Sequence, residues 1–101
     1  MTTKSFELLF LDTAESQIKD IERDRSRQGL VKQIKKALRH LAENPNHPGL
    51  KSHPMKNLDA VYGAKVFSSY AQNNTPQAHR ILWCYGPDAQ QITILAVIPH
   101  Y

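Results

Sequence analysis

Hydrophobic and polar positions change period twice along the chain. Residues 6–11, FELLFL, are aromatic and aliphatic over strand length and lead into Asp12, with Glu15 three positions later, which predicts a strand followed by a helix capped at Asp12. In residues 12–28 the apolar positions Ala14, Ile18 and Ile21 recur at helical spacing, while Glu15, Lys19, Asp20, Glu22 and Arg23 fall outside that stripe. This first helix is expected to end before Gly29. From Leu30 the pattern strengthens: Leu30, Val31, Ile34, Leu38 and Leu41 share one face, and Lys32, Lys35, Lys36 and Arg39 lie outside it. ENPNHPG ends this second helix, because proline cannot continue the hydrogen-bond ladder and pushes the residue before it toward extended geometry.

Beyond residue 50 the helical period is lost. LKSHPMKNLDAV, residues 50–61, has no clear repeat and reads as an irregular or partly extended connection. After Gly63, AKVFSSYA alternates, HRILWCYG is rich in large and β-branched side chains, and ITILAVI is nearly continuous, as in a central strand buried on both faces. QNNTPQ and GPDAQQ separate these runs with turn residues and predict antiparallel hairpins. The result is an α+β domain over residues 1–101, two N-terminal helices packed on one face of a mainly antiparallel four-stranded sheet, in the order β-α-α-β-β-β. Such a sheet has one face without helices. In HRILWCYG a period of two sends Ile81, Trp83 and Tyr85 toward the helices as core aromatics and aliphatics, and points Arg80, Leu82 and Cys84 into the other face.

Composition narrows the class without naming a function. With 101 residues, 41% apolar and 22% charged, the chain is long enough for one modest core and too apolar in its clusters for disorder. Its single cysteine, Cys84, excludes an internal disulfide and a four-cysteine zinc site, and reads as a small buried filler. His40, His47 and His53 lack zinc-site spacing, so no metal or cofactor is expected. No stretch has the length of a membrane span or the form of a signal peptide, and a cytoplasmic protein is expected. The formal charge of +4 permits a polyanionic partner; beyond Asp59 the only acidic side chain is Asp88, so the C-terminal half is electropositive.

The element order, the helix stop LAENPNHPGLK, the strand start HRILWCY and the final His-Tyr together resemble the RelE/ParE toxin superfamily of toxin–antitoxin systems, and within it the YoeB-like branch. The resemblance spans nearly the whole chain and implies a RelE-like fold and a ribosome-dependent mRNA endonuclease that works without metal, by attack of a ribose 2′-OH on the neighbouring phosphate. Such chemistry needs a base for the hydroxyl proton, a cation for the phosphate and an acid for the leaving oxygen. Arg80 matches the family's strand-borne arginine, suited to grip two phosphate oxygens. His100 and Tyr101 match the terminal pair, as acid and as stacking or donating ring. His53, in KSHPMK, stands where the YoeB-like branch has a glutamate in a Pro-Glu-Pro context, and is the candidate base. Lys51, Lys56 and Lys65 resemble the basic residues that contact RNA phosphates. The loop QNNTPQ is longer than the family's usual hairpin there.

Two further readings stay open. A ParE-like gyrase inhibitor needs no catalytic set, and the missing glutamate fits an inactive member that only pairs with an antitoxin. In each version a cognate antitoxin is the expected partner, with the toxin a homodimer or part of a heterotetramer; the nuclease reading adds the ribosome and mRNA. The stripe Lys32, Lys35, Lys36 and Arg39 reads first as a solvated helix face and second as an RNA contact, and His79 as structural.

Overall fold

The computed structural model describes residues 5–72 and 78–99. Strand β1 (Glu7–Phe10) leads into helix α1 (Asp12–Arg23), and α2 (Gln28–Glu43) follows after one tight turn. Then come a two-residue strand β2 (His53–Pro54), a short helix α3 (Asp59–Tyr62) and three strands, β3 (Phe67–Tyr70), β4 (His79–Tyr85) and β5 (Gln91–Pro99). The two helices and the strands in 6–11, 64–71, 79–86 and 92–98 match the sequence-predicted elements. Asp12, expected as the cap of α1, is instead its first residue: Leu11 is the extended capping position and makes no side-chain cap. Asp12 and Glu15 then act on the helix dipole rather than as a capping box. The turn between the helices is held by Asp24, whose carboxylate accepts from the backbone N–H and hydroxyl of Ser26 at 2.9 and 2.6 Å. That turn lets α2 begin before Gly29, two residues ahead of the periodic pattern.

The sheet has five strands, ordered β1-β5-β4-β3-β2, rather than four, and is mixed. β1 runs parallel to β5, with Leu8 opposite Ile92 and Phe10 opposite Ile94, whereas the other pairings are antiparallel. The parallel pair is compatible with the connectivity, since both long helices and three strands separate β1 from β5 and no hairpin forces them antiparallel. β2 and all but the last residue of α3 lie within residues 50–61, where two- and four-residue elements are too short to leave a period in the sequence. β1 stops at Phe10, so it cannot satisfy the far end of β5; there the Val97 N–H donates to the side chain of Gln17 on α1 at 2.8 Å.

Two apolar layers flank the sheet. Ala14, Ile21, Leu30, Val31, Ile34, Ala37 and Leu41 of the helices close over Ile81, Trp83, Ile92, Ile94 and Val97. On the other face Val66, Leu82, Cys84, Leu95 and Ala96 form a second cluster covered by Met55, Leu58 and Ala64. The face expected to lack a covering element therefore carries a small core of its own, supplied by the 55–64 connection. A bulge makes this division possible: Leu82 pairs with Ala96 and Trp83 with Ile94, so Leu95 is the extra residue, and β5 exchanges faces there. Tyr85 departs from expectation too, being 47% exposed although its ring meets Trp83 and Phe67 edge-on. Among the described residues no helix is long and apolar enough to cross a membrane.

Candidate functional site

Arg80 lies near the start of β4, opposite Tyr70 of β3 and Ile98 of β5. Ser68, Tyr70, Arg80 and Leu82 share one face by strand parity, the face away from the long helices. The Arg80 guanidinium stacks over the Tyr70 ring at 4.8 Å, and its Nη2 donates to the Tyr70 hydroxyl at 3.1 Å. Its Nε is buried and has no partner among the described residues. A half-buried, stacked arginine has lost most of its rotamer freedom before any ligand arrives, which suits a planar clamp for an anion.

His53 sits beside the same tyrosine. Its ring meets that of Tyr70 edge-on, with centroids 6.2 Å apart, and its Nδ1 lies 3.1 Å from the Lys51 carbonyl oxygen. A carbonyl only accepts, so that bond places the imidazole proton on Nδ1 and leaves the Nε2 lone pair free to take a proton. The strand carrying His53 is only two residues long, and a buried hydrogen-bond chain anchors it. Trp83 Nε1 donates to Ser69 Oγ at 2.7 Å, Ser69 and Ser52 hydroxyls lie 2.6 Å apart, and Ser52 donates to the Pro45 carbonyl at 3.0 Å. Since the single proton of Ser52 goes to Pro45, Ser69 is the donor in the middle link. The loop bearing His53 is thereby tied through the sheet to the helix stop.

The predicted residues separate into groups. Arg80 and His53 come together around Tyr70. Lys51, in a left-handed conformation with φ 48°, and Lys56, in the turn preceding α3, are exposed on the loop that flanks His53. Lys65 does not join them: its ammonium lies 5.7 Å from the Phe67 ring, which stacks on Trp83 on the helical side of the sheet. His100 and Tyr101 lie outside the described residues, as do residues 73–77 of the QNNTPQ loop. Their predecessor Pro99 pairs with His79, next to Arg80. His79 is buried on the helical face, its backbone N–H and Nδ1 both directed to Gln72 Oε1 at 3.1 and 3.3 Å, the structural part expected of it. Burial raises the pKa of the Cys84 thiol and keeps it protonated. Among the described residues no three His, Cys, Asp or Glu side chains converge as metal ligands.

Tyr70 and Ser68 were not singled out by sequence reasoning. Alternation within AKVFSSYA puts them on one face, but which residue of β4 each meets depends on the length of the intervening connection. A separate groove of about 340 Å³ between α1 and α2, on the helical side, is mainly apolar, with Phe10, Ile18, Val31 and Leu38 among its walls, and is lined also by Glu15, Lys19, Glu22 and Lys35.

No protein-family model matches the sequence, and comparison with curated proteins likewise finds no match. Solved structures do match. A YoeB/ParE toxin from Agrobacterium tumefaciens superposes with a TM-score of 0.71 at 18% identity, covering 95% of this chain and 100% of its own. A chain of the heterotetrameric YoeB–YefM toxin–antitoxin complex from Staphylococcus aureus gives 0.66 at 21% identity, covering 95% and 98%. A chain of the archaeal RelE–RelB complex from Pyrococcus horikoshii gives 0.64 at 9% identity, covering 94% of each. With TM-scores of 0.64 to 0.71 over nearly the full length of each chain, this chain shares the fold of these YoeB/ParE and RelE toxins.

Proposed function

We propose that the chain is the toxin of a type II toxin–antitoxin system and cuts mRNA on the ribosome. The observation that carries this reading is the Arg80 guanidinium stacked on Tyr70, with His53 edge-on to the same ring and its Nδ1 engaged by the Lys51 carbonyl. In this reaction His53 takes the ribose 2′-OH proton, O2′ attacks the adjacent phosphorus, and Arg80 holds the charge on the crowded phosphate. The 5′ oxygen leaves with a proton from His100, producing a 2′,3′-cyclic phosphate and a 5′-hydroxyl, while Tyr101 stacks on a base. Lys51 and Lys56 flank the strand through its phosphates; Lys65, beside Phe67, is the weakest member of the set. The chemistry asks the protein for proton transfer and charge stabilisation, both within reach of these side chains without a metal ligand set.

An antitoxin that covers this surface is the expected partner, as a toxin–antitoxin heterotetramer or with a toxin homodimer, in the cytoplasm. Expression without a partner should arrest translation, and primer extension on a reporter transcript should show cuts within codons. Both should vanish in Arg80→Ala, since loss of one charge-stabilising donor costs about 2.7–4 kcal/mol of barrier. Unchanged cleavage in Arg80→Ala and His53→Ala would overturn the mechanism. Growth arrest with inhibited DNA supercoiling and intact mRNA would point to the gyrase-inhibitor reading instead.

A further inference from the structure

Between the C-terminal half of α2, the turn that follows it and the end of β3 lies a cleft of about 360 Å³. It is walled by Gln33, Lys36, His40, His47 and Gln72, and it shares Tyr70 with the Arg80 site. The His40 and His47 rings stack with centroids 4.0 Å apart and planes 27° from parallel. His47 Nδ1 accepts the Gly49 N–H at 3.0 Å, so its proton sits on Nε2, leaving a donor that the turn does not use. The charges facing His40 are Lys36, Arg39 and Glu43 on its own helix and His47 on the turn; β3 and its continuation add only the uncharged Tyr70 and Gln72. Burial and then the positive neighbours lower the pKa of His40, and no ion pair among the described residues engages Lys36, Arg39, His40 or His47. Lys36 is thus the one charged side chain that lines the cleft, without an ion pair among the described residues, and the stacked imidazoles beside it bring hydrogen-bonding nitrogens. A cation would be repelled there and an apolar ligand would waste the donors, whereas a phosphate offers acceptors and negative charge together.

We infer that this cleft is a second phosphate site for an RNA strand, in which Lys36, His40 and His47 take one phosphodiester while Tyr70 joins the cleft to the Arg80 site. The identity of the strand rests on the nuclease reading; anion binding by the cleft does not require cleavage. Because a bound anion favours the protonated form of His40, which burial and its positive neighbours otherwise disfavour, affinity should rise as the solution is made more acidic.

The test uses the full chain, a 2′-O-methyl RNA pentamer that cannot be cut, inorganic phosphate as a second probe, and the ring resonances of His40 and His47 as readout. The pentamer should move both rings, bind more tightly at pH 6 than at pH 8, and still move them in Arg80→Ala. Lys36→Gln should weaken binding and reduce the salt dependence by a slope of about 0.7, the share of one phosphate contact on a single strand. Rings unmoved by the pentamer, whether or not inorganic phosphate moves them, would overturn the proposal, even if primer extension still shows cleavage. Pentamer-induced shifts in a protein that cleaves no message would uphold the cleft and remove the nuclease reading.

Discussion

Ser68 and Ser69 are neighbours on β3, both fully buried, and they point to opposite faces of one sheet. Ser69 faces the helices and is hydrogen-bonded on two sides, to Trp83 and Ser52. Ser68 faces Arg80's side, and its hydroxyl has no partner among the described residues; neither has Arg80 Nε. The helical face combines a large apolar layer with satisfied polar groups, which is how a small domain accumulates stability. The opposite face has a smaller apolar cluster and carries two buried polar atoms, Ser68 Oγ and Arg80 Nε, without a partner among the described residues. On the proposed function, stability and chemistry are divided between the two sides of the strands, and each can be attacked alone.

The largest effect should come from the helical side. Trp83 is 1% exposed and stacks on Phe67 at 4.8 Å, so Trp83→Ala should cost about 3–5 kcal/mol, measured as a loss in urea midpoint. That is a large part of the roughly 5–15 kcal/mol of a whole domain. Arg80→Ala should do the reverse, lowering cleavage by roughly 100- to 1000-fold with a much smaller midpoint change than Trp83→Ala. Comparable destabilisation by the two variants would erase the division of labour.

The paired serines sharpen it further. Ser69→Ala strands the Trp83 indole N–H and breaks the chain to Ser52, so about 1–3 kcal/mol should be lost in equilibrium unfolding. Ser68→Ala removes a buried hydroxyl that has no partner among the described residues, and should be neutral or stabilising in the same measurement. Equal losses would mean that the two faces are satisfied alike. Next in size is Tyr70→Phe, which keeps the ring under Arg80 but removes the hydroxyl that accepts from Nη2. Activity should drop roughly tenfold, about 1.5 kcal/mol for a bond to a charged donor, with the unfolding midpoint nearly unchanged.

Much of this division was legible in the sequence. Helical spacing of Ile34, Leu38 and Leu41 and the alternation around Trp83 located the main core, because long amphipathic elements write their burial into their period. The same alternation aimed Arg80 correctly. The second cluster was not legible, since Met55, Leu58 and Ala64 cover it from the turns on either side of a four-residue helix, segments that have no period to read. The bulge at Leu95 is silent for the same reason: one extra residue in an unbroken apolar run changes which face each neighbour meets without changing composition. Tyr85 illustrates the opposite limit, where parity gave the face but not how far the helices extend over it. Tyr70 required the register across β3 and β4, a long-range quantity that local pattern does not contain.

The smallest effect is a pH response, and it belongs to the helical face. His79 is buried with Gln72, which in turn is hydrogen-bonded to Gln33 of α2, and its pKa is lowered by burial first and by Arg27 second. His40 is shifted in the same direction, by burial and then by His47. In the unfolded chain these imidazoles take up protons near their ordinary value of 6.5, while the folded protein still resists. The unfolded state therefore binds more protons as pH falls through that value, and stability declines until the lower folded values are passed. Asp24, held below its ordinary 3.8 by the Ser26 hydrogen bonds, acts with the same sign but only in more acidic solution. The urea midpoint should thus fall between pH 7 and pH 5, and the fall should shrink in His79→Gln, which carries no titrating ring. A wild-type midpoint that stays flat across that range would show that the Gln33–Gln72–His79 link does not need a neutral imidazole. A fall of the same size in His79→Gln would move the response to His40, at the cleft that borders the Arg80 side, and weaken the separation of the two faces at that point.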